Sequence, residues 1–313
     1  MSQRFYSHGK LLLTAEYVVL DGATALAIPC KFGQDLVVTP TSSGFIEWEA
    51  YTELNKLWSA FSFPLSALKA PFIKEINNPK DQIIHILQIA QSLNAEFLKG
   101  STGESVSTHL EFPNDWGLGS SSTLINNIAQ WVRVNPFELL EKSMGGSGYD
   151  IACAAANDPI VFKRDLNGFE PIITKLELAS SITDQIRFVY LNKKQNSRAG
   201  IQVYKTQKDK QPLAWREALG SLEKLSCAMA ICSSIDIYID QLQLHEALLS
   251  KLLESPPVKN LYFSDFEGSI KSLGAWGGDF IMAVSKNMSQ EAMENYFIHK
   301  GYATSLSYSD MVL

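Results

Sequence analysis

The run Pro113-Asn114-Asp115-Trp116-Gly117-Leu118-Gly119-Ser120-Ser121-Ser122-Thr123 constrains this chain more than any other stretch. A β-prone segment at 105–112 leads into it, and apolar side chains at Leu124, Ile128, Trp131 and Val132 follow at helical spacing. It therefore joins a strand to a helix through glycines. Glycine lets backbone come close to a ligand. The start of a helix adds unpaired N–H groups and a partial positive charge. Together these features make a cradle for phosphate. The hydroxyls of Ser120, Ser121 and Ser122 supply further donors, or one oxygen ligand for magnesium. No lysine stands where a Walker-type loop needs one, and the spacing is not the G-x-G-x-x-G of dinucleotide folds. By itself the run also fits a glycine turn with a serine N-cap.

A chain of 313 residues suits two packed domains. It is 46% hydrophobic and 19% charged, an ordinary globular balance. The net charge of −6, without a long basic run, argues against nucleic acid or an anionic membrane surface as partner. Cys30, Cys153, Cys227 and Cys232 show no zinc spacing. No apolar stretch reaches the roughly 20 residues a membrane span needs, and no secretory signal opens the sequence, so the expected location is the cytoplasm.

The pattern predicts strands at 10–20 (with a turn at Asp21-Gly22), 25–29, 36–39, 45–50, 105–112, 160–163, 186–191 and 280–284. It predicts helices at 81–97, 136–143, about 149–156, 197–207, 215–236, 237–253 and 290–299. Residues 53–68 are too mixed to assign. A loop-like composition over 165–180 puts a domain boundary there, dividing 1–172 from 173–313.

Three further constellations accompany the glycine loop. Gly9-Lys10 leads to Glu16-Tyr17, Gly145-Gly146-Ser147-Gly148 meets Tyr149-Asp150, and Lys271-Ser272-Leu273 runs into Gly274-Ala275-Trp276-Gly277-Gly278-Asp279. A lysine-rich loop, 192–198, follows the strand expected at 186–191 and carries Lys194, Ser197 and Arg198.

The eleven-residue glycine run resembles the phosphate loop of the GHMP kinases. Gly9 to Tyr17 is similar to the first motif of that family, with Ala15 standing where the family has glycine. Gly146-Ser147-Gly148-Tyr149-Asp150-Ile151-Ala152 resembles the Ser-Gly-x-Asp segment of mevalonate kinases, and more closely the Gly-Ser-Gly-Phe-Asp-Val segment of phosphomevalonate kinases. Residues 274–279 resemble the family's Gly-Ala-Gly-Gly-Gly-Asp loop, with Trp276 in place of a glycine. Three motifs stand in the family's order, and the resemblance spans Phe5 to about Val284.

The resemblance implies the two-domain GHMP kinase fold, an N-terminal α+β domain followed by a C-terminal ferredoxin-like domain. It implies an ATP- and magnesium-dependent kinase acting on mevalonate or phosphomevalonate, in isoprenoid precursor synthesis. Asp150 would be the catalytic base and Lys10 its partner. Gly117, Leu118, Gly119, Ser120, Ser121 and Ser122 would hold the ATP phosphates. Glu16, Tyr17, Ser147, Gly148, Gly277, Gly278, Asp279, Lys194 and Ser197 would contact the acceptor. Magnesium would take Ser121 and either Glu138 or Glu141. The partner is a small molecule, and the chain is expected to be a monomer or homodimer. A homoserine or sugar kinase of the same superfamily, a related decarboxylase and a non-catalytic nucleotide-binding relative stand as alternatives.

Overall fold

Strand β1 (Gln3–Leu12) begins seven residues before the strand expected at 10–20 and ends inside it. The rest of that stretch, rich in β-branched and aromatic residues, is not strand. Ala15 and Tyr17 adopt left-handed backbone, with φ of 61° and 65°. The chain then turns through a short 3-10 helix, Val18–Asp21, capped by left-handed Gly22. Burial of Val18 and Val19 outweighs their β-propensity. The next strand, β2 (Ala25–Pro40), is a single strand of 16 residues where two short ones were expected. The computed structural model describes residues 1–73 and 75–313, which form two compact units.

The first unit comprises 1–9, 32–114 and 118–155. Its strands are β3 (Phe45–Tyr51), β4 (Leu57–Pro64) and β5 (Glu104–Leu110), together with residues 34–40 of β2. β4 lies within the stretch the sequence left unassigned. β3 pairs antiparallel with β4 and parallel with β5, and β5 pairs antiparallel with β2. Four helices follow the pattern: α1 (Pro79–Leu93), α2 (Ser120–Val132), α3 (Pro136–Ser143) and α4 (Tyr149–Ala155). α1 is capped by Asn78, whose side chain accepts the Asp81 N–H, and has Pro79 in its first turn. It stops four residues short of the expected end. Its buried stripe, including Ile83, Ile86, Leu87 and Ala90, packs in one core with Leu36, Ile46, Trp48 and Val106 from the strands and Ile125 and Ile128 from α2.

The second unit comprises 10–31, 115–117 and 156–313. The sequence draws one boundary at 172/173, whereas residues 10–31 and 156–172 group here with the C-terminal half. Strand pairing accounts for this: residues 25–27 of β2 pair with β6 (Ile160–Lys163), and β6 pairs with β7 (Ile172–Lys175). A second sheet contains β8 (Ile186–Tyr190), β9 (Ser269–Ser272), β10 (Phe280–Val284) and β11 (Ser305–Ser307) in the order β11-β8-β10-β9, all antiparallel. In chain order this is 4-1-3-2. The helices between its first two strands are α6 (Ser197–Lys210), α7 (Pro212–Ala230), α8 (Ile235–Leu253) and the short α9 (Val258–Tyr262), with α5 (Ser180–Thr183) preceding them. α10 (Gln290–His299) joins the last two strands, and a short α11 (Tyr308–Met311) closes the chain. This connectivity is the expected ferredoxin-like arrangement.

The helices expected at 215–236 and 237–253 divide earlier, α7 ending at Ala230 and α8 starting at Ile235. The intervening residues Cys232-Ser233-Ser234 favour local hydrogen bonding over helix continuation, and the Cys232 thiol donates to the Ser234 carbonyl. No helix among the described residues is long and apolar enough to cross a membrane.

Candidate active site

The glycine loop splits between the two units. Residues 115–117 belong to the second unit because Trp116 packs edge-on against Phe280, with ring centroids 5.5 Å apart. From Leu118 onward the loop belongs to the first. Leu118 is fully buried, and Gly119 supplies the left-handed residue (φ 89°) that turns the chain into α2. The amides of Ser122 and Thr123 bond back to the Gly119 carbonyl. Ser120 and Ser121 thus occupy the first turn, where helix N–H groups point outward. Ser121 is exposed, and the Ser120 hydroxyl donates to Asn114 Oδ1 at 3.3 Å.

A buried polar network fixes this helix start. Thr123 donates to Gln34 Oε1 at 2.6 Å, Asn127 Nδ2 to the Gln34 carbonyl at 2.9 Å, and Ser7 Oγ to Asn127 Oδ1 at 2.7 Å. Asn126 Nδ2 donates to Ser7 Oγ at 2.9 Å. Sequence reasoning missed this network. The available signal was a pair of asparagines, Asn126-Asn127, inside an otherwise apolar helical stripe.

The second glycine stretch runs through left-handed Gly145 and Gly148 and places buried Ser147 just before α4. Asp150 stands in the first turn of that helix, half-buried, and accepts a short hydrogen bond from the Ser122 hydroxyl. Two of the predicted motifs thus meet at one serine–carboxylate contact. Glu138 is held by Lys142 at 2.7 Å, one helical turn on, and Glu141 is exposed. Among the described residues no group of three or more His, Cys, Asp or Glu side chains is placed to hold a metal ion. Magnesium usually keeps several waters and leans on nucleotide phosphates, so a single hydroxyl with one carboxylate is a sufficient protein contribution.

In the second unit, Lys10 Nζ donates to the Gly117 carbonyl at 2.9 Å. Asp279 lies against the same glycine: a Cβ added at Gly117 would sit 2.0 Å from Asp279 Oδ2. The Gln195 N–H donates to Asp279 Oδ1 at 2.5 Å, and Gln195 Nε2 donates to the Gly277 carbonyl at 3.4 Å. Burial raises the Asp279 carboxyl above its ordinary range, opposed by the Gln195 N–H and the charges of Lys10 and Lys194. Motif one, the start of the glycine loop, the 274–279 loop and the basic loop therefore converge. Ser197 is exposed at the first turn of α6, which Asn196 caps by accepting the Arg198 and Ala199 N–H groups. Gln195 was not singled out by the sequence.

Glu16 and Tyr17 are placed differently from simple acceptor contacts. The Glu16 carboxylate is buried and meets Lys271 Nζ at 2.5 Å. The Tyr17 ring stacks on Tyr204, with centroids 5.5 Å apart, and its oxygen accepts the Trp276 N–H at 2.7 Å. A Cβ added at Gly200 would lie 2.9 Å from that oxygen.

The tight approach at Gly117 makes a testable point. Gly117 has φ of 67°, and Gly117→Ala places a methyl group into the Asp279 carboxylate. The left-handed backbone alone costs an alanine about 1–2 kcal/mol. The variant should lose at least that much stability in a urea melt and should bind nucleotide more weakly by calorimetry. Unchanged values on both would mean that the loop relaxes freely.

No family model matches the chain, and no curated protein matches it. Solved structures do. Phosphomevalonate kinase from Streptococcus pneumoniae, in complex with phosphomevalonate and AMPPNP, aligns with a TM-score of 0.72 at 18% identity, covering 97% of this chain and 99% of that one. Mevalonate kinase from Methanococcus jannaschii aligns at 0.70 and 15% identity, covering 98% and 97%. Galactokinase from Lactococcus lactis, complexed with galactose, aligns at 0.66 and 13% identity, covering 100% and 93%. These likenesses extend over nearly the whole length of each partner, and the chain has the two-domain α+β fold of the GHMP kinases.

Proposed function

We propose that this chain is an ATP-dependent phosphotransferase that phosphorylates a small molecule, with mevalonate or phosphomevalonate as the acceptor. The observation that carries the reading is the contact of the Ser122 hydroxyl, in the first turn after the glycine loop, with the Asp150 carboxylate. It joins a phosphate-cradling helix start to the one carboxylate that the sequence marks as a base.

In the proposed reaction an acceptor oxygen attacks the γ-phosphorus of ATP, a new O–P bond forms, and the bond to the bridging oxygen of the departing ADP breaks. Where the acceptor is a hydroxyl, its proton passes to Asp150 Oδ1 or Oδ2. Residues 117–122 hold the phosphates through backbone N–H groups and serine hydroxyls. Lys10, held by the Gly117 carbonyl, brings positive charge to the loop's first glycine. Such transfer depends mostly on positioning and charge neutralisation, so a weak base suffices. Magnesium, when bound, neutralises charge on the transferring phosphoryl group, and Ser121 with Glu138 or Glu141 would hold it. Gly277, Gly278, Asp279, Lys194, Ser197, Ser147 and Gly148 remain the proposed acceptor side.

The test is ADP release with magnesium-ATP against mevalonate, phosphomevalonate, homoserine, galactose and a heptose phosphate. Turnover on one of the first two is expected. Turnover on a sugar or homoserine alone would replace the acceptor while keeping the phosphotransferase. Nucleotide binding without turnover on any of the five would favour the non-catalytic relative.

A further inference from the structure

Four ionisable side chains from three stretches of chain meet in the interior of the second unit. Lys271 on β9 donates to Glu16 Oε1 at 2.5 Å, to Glu246 Oε1 on α8 at 3.2 Å and to the Ser272 carbonyl at 3.2 Å. His245, beside Glu246, accepts the Ala15 N–H on Nε2 at 2.9 Å and lies 3.7 Å from Glu16 Oε2. None of the four residues is more than 4% exposed. Because Nε2 is an acceptor, the neutral ring carries its proton on Nδ1.

Adhesion alone does not account for such a group. A buried cation returns little more than its desolvation costs, and apolar side chains of similar volume would serve stability as well. What the cluster does have is position. It grips the 15–17 turn, whose two non-glycine left-handed residues persist only where their surroundings over-determine them. It grips β9 near its end, three residues before the 274–279 loop begins. A second tie joins the same two segments, the Trp276 N–H on the Tyr17 oxygen. Three residues beyond Trp276, Asp279 lies against Gly117, the glycine that Lys10 holds.

We infer that the buried Lys271–Glu16–Glu246–His245 cluster is a positioning device for the acceptor side of the site, fixing the 15–17 turn and the 274–279 loop as one element. Its role in turnover rests on the kinase reading; its role in fixing the two segments does not. These are positioning residues, and none of them is assigned contact with the reacting atoms.

The experiment compares Lys271→Met with the wild-type protein by hydrogen–deuterium exchange and by steady-state kinetics. Amides of 14–17 and of 273–279 should exchange together, faster by about tenfold or more, while β8 and β10 keep their protection. The acceptor KM should rise by about tenfold or more and the ATP KM by less than about twofold, as expected for misplacement on one side of a site. Where Lys271→Met does not fold, Glu16→Gln keeps an oxygen facing Lys271 and should show the same paired loosening to a smaller degree. Loosening of one segment without the other, or uniform loss of protection, would overturn the inference. Equal rises in both KM values would do so as well. Should no acceptor be turned over by the wild type, the kinase reading fails by itself, and the exchange pattern still decides whether the cluster fixes both segments.

Discussion

Asp150→Asn is expected to lower kcat by about 10²–10⁴-fold, the range that a positioned general base contributes. The substitution is nearly isosteric, and its amide oxygen can still accept from the Ser122 hydroxyl, the bond that joins the glycine-loop helix to α4. The fold should therefore be kept, with a melting temperature close to the wild-type value. What is lost is the negative charge that, in the proposed reaction, takes the acceptor proton and orients its oxygen. ATP binding, proposed to rest on the 117–122 backbone, should change little, so the ATP KM is expected to stay within about threefold while kcat falls. Ser122→Ala separates orientation from charge: it removes the donor and leaves the carboxylate, and a loss of roughly tenfold is expected from misplacement alone. ADP release at saturating ATP, with a thermal melt of each variant, decides the matter. An Asp150→Asn enzyme within threefold of wild type would show that this carboxylate is not the base.

The sequence carried the elements whose local signals agree with their surroundings. α3 starts on Pro136 with Asn135 accepting the Phe137 and Glu138 N–H groups, and α10 starts behind Ser289, which accepts the Ala292 N–H. Both begin where the pattern puts them, because cap and periodicity name the same residue. The failures lie where long-range contacts override local preference. Residues 13–20 read as strand from composition, but the Ala15 amide is committed to His245, 230 positions away. Nothing local to Ala15 announces that partner. β4 went unassigned because its pattern is only partly apolar; its pairing with β3 supplies the order that propensity does not.

At the site, the motif residues were legible because backbone geometry demands glycine there. Gly117 is pressed against Asp279, and Gly119 must be left-handed. Their supporting partners were not legible. Gln195 touches Asp279 through its main-chain N–H, which any residue but proline carries, so its side chain gives no warning. His245 and Glu246 had a faint signal. They occupy the stripe of α8 that otherwise holds Tyr238, Leu242, Leu249 and Leu252, and charged groups in a buried stripe need a partner. Glu16 was expected to contact the acceptor because Gly9 to Tyr17 resembles the first motif of the family; only the folded chain brings Lys271 to it.

That cluster also carries the largest expected effect on stability. Lys271→Met leaves the Glu16 and Glu246 carboxylates buried without their cation, and removal of one partner from a buried ion pair costs about 3–5 kcal/mol. Changing Lys271→Met, Glu16→Gln and Glu246→Gln together removes every formal charge of the triad, and should restore most of that loss. The pH dependence follows from opposed shifts within the cluster. Burial, aided by Glu246 and opposed by Lys271, pushes the Glu16 carboxyl up to about 7. The folded state therefore holds a proton that the unfolded chain has released above its ordinary 4.5, and this contribution to stability is present at low pH and lost as pH rises toward 7. Burial, reinforced by Lys271, holds His245 well below its ordinary 6.5. Its contribution has the opposite sign, present above 6.5 and lost as pH falls. Between 4.5 and 6.5 these two slopes oppose each other in the wild type, and Glu246, whose carboxyl burial also raises, adds a slope of the Glu16 sign. Glu16→Gln removes the first and leaves the second, so stability should climb with pH across that window by about 1.4 kcal/mol per unit relative to wild type. Urea midpoints at pH 5.0, 5.75 and 6.5 measure the difference. Parallel pH profiles for the two proteins would mean that Glu16 is ionised throughout the window.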